Sequence, residues 1–362
     1  MGRQIDTALC ETYLDMPASH TAMAQKALAW LEKDPLGDGF LRAARDAFAR
    51  RDHAAADVCK GAKEYAMRSA PEVAEGVVPA LFALALPGAI EQLRGDGLDE
   101  NMICDTLRDY GIWARFYERL MGRPGIGEIG WETCFMVGRI YKIGRLEYEF
   151  RHTYRPPYTI YRDRADGTLL PVPNAGVEVD AQGFLALGAQ AVFTTVCEEK
   201  NGWLRYNQVD TEHARILPQL VATPMERLEP LLTGGMQVLN IHIPECGPLS
   251  EAQVQSSLEQ ARTFFAARGL ESRIAICESW LLDPALMTYG ADCDNIVSFQ
   301  QRFTKYPECT MESAAVSRVF GRGTDETQVE ALAEDTRLRR GLKQYLRSGG
   351  VLRDAGGVLN LE

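Results

Sequence analysis

The residues from Val238 to Leu282 constrain the fold of this chain most strongly, because they predict a strand, a polar loop, an amphipathic helix and a second strand in succession. Apolar residues alternate along Val238–Ile243, which is the two-residue period of a strand with one face on a core. Ser250 and Gln253 form a capping-box pattern, and an apolar stripe at helical spacing follows them. The continuous apolar run Ile274–Cys277 predicts a strand that is covered on both faces.

Polar and reactive side chains follow both of these predicted strands. Two strands that a crossover helix joins in one sheet are almost always parallel, so their carboxyl ends lie at the same edge. Ligands of open α/β sheets bind at that edge. His242 and Glu245 follow the first strand, whereas Cys277, Glu278 and Ser279 end the second. We therefore expect these side chains to form a candidate site.

The length and the charge of the chain limit the classes of fold and partner. A chain of 362 residues with 46% apolar residues is long enough for two domains that each bury a core. The 39 basic and 50 acidic residues give a net charge of −11, which repels phosphate backbones and argues against nucleic acid as a partner. Nine cysteines without CxxC pairs, and five scattered histidines, predict reduced thiols in a cytoplasmic protein without a metal site.

No segment of the sequence predicts a membrane association. Acidic residues occupy the part of the N-terminus where a signal peptide needs an apolar core. The most apolar segment, Gly76–Ile90, is too short to cross a bilayer, and Pro79 and Pro87 interrupt it. We expect this segment to be a core helix of a globular domain.

The periodicity of the sequence changes along the chain and predicts an α+β fold. Residues 1–125 show helical periodicity throughout, so we expect an all-helical N-terminal domain. The glycine-rich segment Met121–Gly130 predicts a linker, and residues 131–362 form the second domain. There, Arg145–Thr153 alternates apolar and charged residues as a half-buried strand does. The strand-like segments on either side of ADG and of EEKNG predict two hairpins. A long helix is expected from about Asp325 to Leu346.

Several stretches of the chain, in order, resemble one bacterial protein family. They are GRLEYEF (Gly144–Phe150), VLNIHIPECGPLS (Val238–Ser250), CESWLLDPAL (Cys277–Leu286), NIVSFQQRF (Asn295–Phe303) and DTRLRRGLKQYLRSGG (Asp335–Gly350). The family has an N-acyltransferase N-terminal helical domain followed by a GNAT-like C-terminal domain. The resemblance implies a mixed β-sheet flanked by helices. It also implies the transfer of an acyl group from acyl-CoA or acetyl-CoA to a small-molecule or peptide amine.

The resemblance also implies where acyl-CoA binds. Val238–Ile243 corresponds to the central GNAT strand beside which acyl-CoA lies, and Arg273–Ser279 to the strand that splays away from it. The loop between them reads ECGPLSEA where GNAT enzymes carry Q/R-x-x-G-x-G/A, and Pro248 lacks the amide donor of an ordinary residue. The residues implied to contact the cofactor are Ile243, Gly247, Leu249 and Ser250.

N-acyl transfer needs a base for the amine proton and an acid for the leaving thiolate. The candidate bases are His242, Glu245 and Glu278, because histidine titrates near neutral pH and burial raises the pKa of a glutamate. Tyr289 resembles in its placement the tyrosine that protonates the thiolate in many GNAT enzymes. The side chains expected to contact the substrate are Cys277, Ser279 and His152.

Other interpretations of the same residues stay open at this point. Cys277 with His242 as its base would make a thioesterase, whereas a buried strand cysteine is usually inert packing. His242 is as well explained as a satisfied polar residue at a strand end. A third hypothesis is a non-catalytic ligand-binding or regulatory protein that keeps the fold, because Pro248 interrupts the phosphate-binding pattern. In that protein, Trp280 or Phe299 would fill the gap between the strands.

Overall fold

The computed structural model of the chain describes residues 3–186, 188–269, 273–289, 294–310, 314–321, 324 and 326–361. The chain divides into two compact units, Met1–Ile143 and Gly144–Glu362. The first unit is helical and the second is a mixed sheet with helices, so the predicted α+β class is confirmed.

The first unit is built from helices and ends in a short strand. In chain order they are α1 Thr7–Leu14, α2 Ala18–Leu31, α3 Gly37–Ala49, α4 Ala55–Ser69, α5 Ala74–Gly95, α6 Glu100–Leu107, α7 Asp109–Met121, α8 Ile129–Met136 and β1 Ile140–Ile143. Asp6 and Asp99 cap α1 and α6 by accepting a backbone N–H of the first turn. These two caps explain where α1 and α6 begin.

Helix α5 is the central element of the first unit. It packs against α2, α3 and α4, and it contains both Pro79 and Pro87 without ending at either. A Cβ at Gly76 would lie 2.3 Å from the carbonyl oxygen of Met23, so only glycine permits the close approach of α2. By length and composition α5 is able to cross a membrane, but 72% of its most apolar window is buried inside the structure. That burial is the pattern of a core helix.

The glycine-rich segment predicted as a linker is packed within the first unit. The backbone N–H of Gly125 donates to Nε2 of buried His20 at 3.2 Å, and the next residue, Ile126, is fully buried. A Cβ at Gly125 would lie 2.4 Å from the ring of Tyr117, so the glycine is needed for this contact. The division between the units therefore falls later, after Ile143.

The second unit is organised around one mixed sheet. Its strands are β2 Leu146–Thr153, β3 Tyr158–Asp163, β4 Leu169–Pro173, β5 Glu178–Val179, β6 Phe193–Thr194, β7 Cys197–Lys200, β8 Trp203–Asp210, β9 Arg215–Pro224, β10 Leu228–Leu232, β11 Gln237–His242, β12 Ile274–Ser279, β13 Thr304–Pro307 and β14 Ala355–Asn360. Within this unit the main sheet has the order β2-β11-β12-β14-β13. Strands β11 and β12 are parallel, as predicted, and the other neighbours are antiparallel.

Smaller antiparallel sheets lie between β2 and β11 in the sequence. They have the orders β10-β3-β4, β5-β6 and β7-β8-β9, and the two predicted hairpins are β3-β4 and β7-β8. Buried residues of these strands pack with Val238, Ile276, Tyr306 and Val358 of the main sheet. One face of the main sheet is thus covered by the inserted strands.

Helices pack around the main sheet of the second unit. They are α9 Glu251–Ala266, α10 Leu286–Tyr289, α11 Asp294–Gln300, α12 Ala314–Phe320 and α13 Arg337–Arg347. Phe265 of α9 stacks on Phe150 of β2 at 5.5 Å between ring centroids, and Ser257 hydrogen-bonds Tyr148 at 2.9 Å. These contacts place α9 against β2.

The long C-terminal helix is shorter than the sequence predicts. Helix α13 begins after Thr336, whose side chain accepts the N–H of Arg339 as an N-cap. A separate 3₁₀ turn, Val329–Ala331, precedes it, and Glu330 of this turn pairs with Arg347. Asp325, the predicted start, lies outside the described residues.

Candidate functional site

A β-bulge in β2 brings two polar side chains to one face of the sheet. His152 lies opposite Val238, and Glu149 lies opposite Asn240, so β2 spans three positions where β11 spans two. Arg151, inside this bulge, has a positive φ of 56°. Because alternate residues of a regular strand share a face, His152 and Glu149 would otherwise point to opposite sides. With the extra residue, both share the face that also carries His242.

Glu149 contacts both histidines of this face. Its Oε2 accepts a hydrogen bond from Nδ1 of His152 at 2.8 Å and lies 3.4 Å from Nε2 of His242. Glu149 is 8% exposed, whereas the two imidazole side chains are 21% and 22% exposed. A carboxylate that binds Nδ1 fixes the tautomer of His152 and leaves Nε2 with a lone pair. The pair thus has the geometry of an oriented base.

The electrostatics of the two carboxyl groups in this region differ. Burial opposes ionisation of Glu149, but its hydrogen bonds to His152 and His242 outweigh burial and hold its pKa well below the usual range. Glu278 has the opposite shift: loss of hydration raises its pKa, the two histidines lower it, and the charge of Glu149 raises it. Glu149 is therefore the ionised partner of the histidines, and Glu278 holds its proton more tightly than an ordinary glutamate.

Strands β11 and β12 are paired over only part of their length. The ladder joins Leu239 to Ala275 and Asn240 to Ile276, and no later pair between these strands occurs among the described residues. On its other side β12 stays paired with β14 as far as Ser279. The carboxyl ends of β11 and β12 therefore leave the shared ladder at the positions of His242 and Glu278. This is the edge at which the sequence predicts the site.

Glu278 belongs to a row of side chains that crosses the sheet on the face of His242. Pairing places Glu278 opposite Gly356, and Gly356 opposite Tyr306. A Cβ at Gly356 would lie 2.1 Å from the Tyr306 ring, so this ring covers β14 where a side chain is missing. Glu308 continues the face of Tyr306 two positions later. Burial, then the charge of Glu278, raises the pKa of Glu308 to about 8.

Arg145 holds the loop that follows β11. Its guanidinium donates to the carbonyl oxygens of Pro244, Gly247 and Pro248 at 3.2, 3.1 and 3.0 Å. It also lies 3.6 Å from Sγ of Cys246. Because the C=O and N–H of a trans peptide point in opposite directions, the N–H groups of Glu245 and Leu249, which share peptides with the Pro244 and Pro248 carbonyls, face away from Arg145, whereas the Gly247–Pro248 peptide has no N–H. Sequence analysis assigned no part to Arg145, although it is the second residue of the GRLEYEF stretch.

The start of α9 has backbone donors without partners in the described chain. Ser250 is the N-cap residue, but its hydroxyl donates to the side chain of Gln253 at 2.8 Å and does not cap the helix. The amides of Leu249, Glu251 and Ala252 donate no hydrogen bond within the described residues. Unsatisfied N–H groups at the start of a helix attract anions.

Three residues predicted from the sequence, Cys277, Ser279 and Glu245, do not join the Glu149 cluster. Cys277 is fully buried, and it lies on the opposite face of the sheet because it alternates with Glu278. Burial raises the pKa of its thiol. Ser279 accepts the N–H of Leu281 at 3.1 Å and so caps a 3₁₀ turn. Glu245 is exposed on the loop, and the side chain of Tyr289 lies outside the described residues.

The burial of Cys277 in the core argues against the substrate contact predicted for it, whereas the contact predicted for Ser279, whose hydroxyl caps a turn, stays a prediction. Of the predicted cofactor residues, Gly247 is exposed in the loop with a φ of 63°, and Leu249 is buried under it. Ile243 and Ser250 are half-buried on either side of the loop.

Sequence analysis missed Glu149, which is the centre of the cluster. The alternation of β2 predicts that Glu147 and Glu149 face solvent, but they are 1% and 8% exposed. The inserted strands cover this face, and nothing local in RLEYEFRHT indicates that cover. The only local signal was a histidine three residues after a glutamate.

Neither metal ligation nor disulfide bonding is seen in the described part of the chain. There, no group of three or more His, Cys, Asp or Glu side chains has a geometry that holds a metal ion. The described cysteines are free thiols, and Cys293 lies outside the described residues.

Comparison with protein-family models is consistent with the fold and the site described above. A family model described as "GNAT-like C-terminal domain" matches residues 140–359. The chain belongs to this family. A second model, "N-acyltransferase N-terminal domain", matches residues 8–138, so the resemblance stated from the sequence is confirmed for both parts. None of the curated proteins matches the chain.

Solved structures of acyltransferases share the fold of this family member. An acyltransferase in complex with CoA and 10C-teicoplanin is 18% identical, with a TM-score of 0.63, and the match covers 100% of this chain and 90% of that one. An acyltransferase with decanoyl-CoA and teicoplanin is 17% identical, with a TM-score of 0.61 and the same coverage. An acyltransferase mutant in complex with octanoyl-CoA is 18% identical, with a TM-score of 0.62 and again the same coverage. At these identities the likeness establishes the fold.

Proposed function

We propose that this protein transfers an acyl group from acyl-CoA to an amine of a small-molecule or peptide acceptor. The observation that carries the proposal is the Glu149–His152 pair, on the face of the sheet where β11 and β12 leave their shared ladder. Family membership supports the reaction class. The acyl-CoA and glycopeptide complexes of the similar acyltransferases support the classes of donor and acceptor.

The loop after β11 and the start of α9 provide for the phosphates of CoA. Arg145 turns the loop carbonyls inward and so presents the opposite amide edge, which includes Leu249. The uncapped first turn of α9 adds Glu251 and Ala252 N–H donors and the positive end of the helix dipole. Pro248 removes one donor, but the neighbouring amides remain. CoA bound there would direct its pantetheine arm toward the end of β11.

His152 is the better oriented of the two histidines as a base. Its Nδ1 is bound to Glu149 at 2.8 Å, so Nε2 is the atom that takes the amine proton. The ionised carboxylate of Glu149 then stabilises the imidazolium that forms. His242, at the longer distance of 3.4 Å, shares the same carboxylate oxygen and helps to hold it in place. This order of importance differs from the sequence-based expectation, in which His242, Glu245 and Glu278 were the candidate bases and His152 was a substrate contact.

Binding and transfer test the proposal separately. Calorimetric titration with acetyl-CoA and longer acyl-CoAs should show saturable binding, and thiol release in the presence of amines should show transfer. His152→Ala should reduce kcat by about 10²- to 10⁴-fold, the usual contribution of a general base, and leave acyl-CoA affinity unchanged. His213→Ala is a matched control, because His213 makes the same Nδ1 contact with Asp210 at 2.8 Å on an exposed turn. The absence of binding across the series would refute the proposal.

A non-catalytic small-ligand-binding or regulatory protein that keeps the fold is the second candidate. Pro248 in the phosphate loop favours it, since one amide donor is lost. In such a protein, Trp280 or Phe299 is expected to fill the gap between the strands, and the contacts of these two side chains argue against that. Trp280 packs on a cluster formed by residues such as Leu286 and Leu342, and Phe299 contacts Phe303 at 5.0 Å between ring centroids. Acyl-CoA binding without transfer to any amine would support this second function. A thioesterase with Cys277 as its nucleophile is not supported, because Cys277 is sealed in the core.

A further inference from the structure

We propose that the amine acceptor carries a second positive charge that does not react, and that Glu278 and Glu308 bind this cation beyond the end of β12. The inference rests on the acyl transfer proposed above, and it names the acceptor as a compound with two amino groups. The reacting amino group meets His152, and the other lies farther across the same face of the sheet.

Glu278 is the accessible end of a row of carboxyl groups. It lies on the same face as Glu149 and His242, where β12 leaves its ladder with β11. Its side chain is exposed, unlike the buried Ile274–Cys277 before it. Glu308 follows β13, is half-buried, and lies close enough that the charge of Glu278 acts on it. A cation that enters from solvent therefore meets Glu278 first.

The negative charge of this row is not neutralised by basic side chains. Within the described ranges, neither Glu278 nor Glu308 forms an ion pair with a lysine or an arginine. The two histidines near Glu278 share the carboxylate of Glu149. Burial, then the charge of Glu278, raises the pKa of Glu308 to about 8, and Asp354 adds to this effect. Because carboxyl groups that are removed from water are usually paired, a ligand cation would supply the partner that this row needs.

Two enclosed phenols are an independent indication of a ligand. Tyr154 and Tyr306 are fully buried, and the described structure gives neither hydroxyl a hydrogen-bond partner of normal geometry, although each lies near the other. The charges of Glu278 and Glu308 act on both hydroxyls, which therefore lie beside the carboxyl groups. Oε1 of Glu308 is likewise enclosed without a partner. Buried polar atoms without partners destabilise a fold, so their concentration here points to a ligand that completes them.

The spacing of the strands indicates the length of the acceptor. His152 lies on β2 and Glu278 on β12, with β11 between them. Neighbouring strands are about 4.8 Å apart, so the second cation lies about 10 Å or more across the sheet from the reacting amine. A diamine with a chain of about eight carbon atoms spans this distance.

Calorimetric titration without acyl-CoA tests the cation site directly. The probes are α,ω-diaminooctane and ω-aminooctanol, which have the same length and differ in the second charge. The wild-type protein should bind the diamine at least about tenfold more tightly, and Glu278→Gln should bring the ratio of the two Kd values close to one. Glu226→Gln, on an exposed turn of the same unit, should keep the wild-type ratio.

Three results of this titration would each overturn the proposal. They are equal affinities of the two probes in the wild type, no measurable binding of the diamine, and an unchanged ratio in Glu278→Gln. Because Glu278 is exposed, its replacement should not unfold the chain.

Tyr306→Phe distinguishes a hydroxyl that serves the ligand from one that serves the fold. The free energy of unfolding should not fall, because the hydroxyl has no hydrogen-bond partner to lose, whereas the Kd for diaminooctane should rise by at least about threefold. Urea unfolding and the same calorimetry measure the two quantities. A less stable variant with unchanged affinity for the diamine would overturn the place of Tyr306 in the site.

Failure of this inference and failure of the proposed function give different results. Acyl transfer to amines with no preference for the second charge would leave the proposed function intact and refute the cation site. Binding of the diamine without transfer from any acyl-CoA would keep the cation site and refute the proposed function.

Discussion

At the scale of single residues, Glu149 determines which nitrogen of His152 is available for chemistry. Its carboxylate binds Nδ1 at 2.8 Å, and burial removes the competing water that would weaken this bond. The same oxygen lies near Nε2 of His242. One anion thus orients two imidazoles, and the charge of this residue matters more than its shape.

We therefore expect Glu149→Gln to reduce kcat by about 10²-fold or more, because a neutral amide neither fixes the tautomer nor stabilises the imidazolium. The KM for acyl-CoA should not change, since Glu149 is not part of the phosphate loop. Steady-state kinetics would measure both values.

The matched control is Asp210→Asn, which changes the same kind of His–carboxylate contact at the exposed His213. It should leave kcat as in the wild type. A Glu149→Gln enzyme with wild-type kcat would show that the carboxylate is structural.

The site residues that could be predicted from the sequence are those that a position at the end of a strand is enough to place. His242 and Glu278 are such residues, and the structure brings both to the diverging edge. Glu149 was not predictable. Its importance comes from burial and from His242, which is distant in the chain: strand alternation places Glu149 on the correct face, opposite Tyr148, but does not reveal that the inserted strands cover that face.

At the scale of elements, the loop after β11 depends on one side chain from the start of β2. Arg145 bonds three of its carbonyl oxygens, and Gly247 contributes a left-handed conformation that a larger residue would adopt with strain. The loop is thereby preorganised before any ligand binds.

Arg145→Ala should raise the Kd for acyl-CoA by about tenfold, equivalent to about 1.4 kcal/mol, because the ligand must then order the loop itself. Amide hydrogen exchange should increase between residues 245 and 250 in the ligand-free protein. Arg205→Ala, which removes an exposed pair with Glu198, is the control and should change neither quantity. Unchanged exchange in Arg145→Ala would contradict the role given to the guanidinium.

Elements with a clear period were predicted well, whereas those set by packing were not. Strands β11 and β12 and helix α9 follow from their apolar patterns. Met121–Gly130 has the composition of a linker, but His20 and Tyr117 bind it into the first unit. Composition alone does not reveal the contact with His20, because it joins residues about a hundred positions apart.

At the scale of the whole molecule, the stability of the first unit depends on pH through a buried histidine. In the first unit, fully buried His20 contacts the Tyr110 hydroxyl through Nδ1 at 2.9 Å and accepts the Gly125 N–H through Nε2. Burial lowers the pKa of His20 to about 4 from a usual value of 6.5. The neutral imidazole is the form that the fold accommodates.

The unfolded chain therefore binds a proton at His20 at a higher pH than the folded chain does. Stability from this residue is fully present above pH 6.5 and is lost as the pH falls toward about 4. The slope is at most about 1.4 kcal/mol per pH unit. His20→Gln should be less stable at neutral pH but should lose less stability between these two values.

Urea unfolding of the full chain at a series of pH values measures this slope. Tryptophan fluorescence suits it, because Trp30, Trp113 and Trp131 lie in the first unit. The exposed His213→Gln should keep the wild-type slope. If His20→Gln keeps that slope as well, the buried histidine is not the acid-sensitive group.

The bulge around Arg151 has a consequence for comparisons among relatives of this protein. A relative with a regular strand in place of β2 must carry its equivalent of His152 one position closer to the glutamate, or else that histidine turns into the opposite layer. An ungapped alignment would then pair the functional histidine of one protein with a bulge residue of another. Apparent loss of the histidine in such an alignment would not indicate loss of activity.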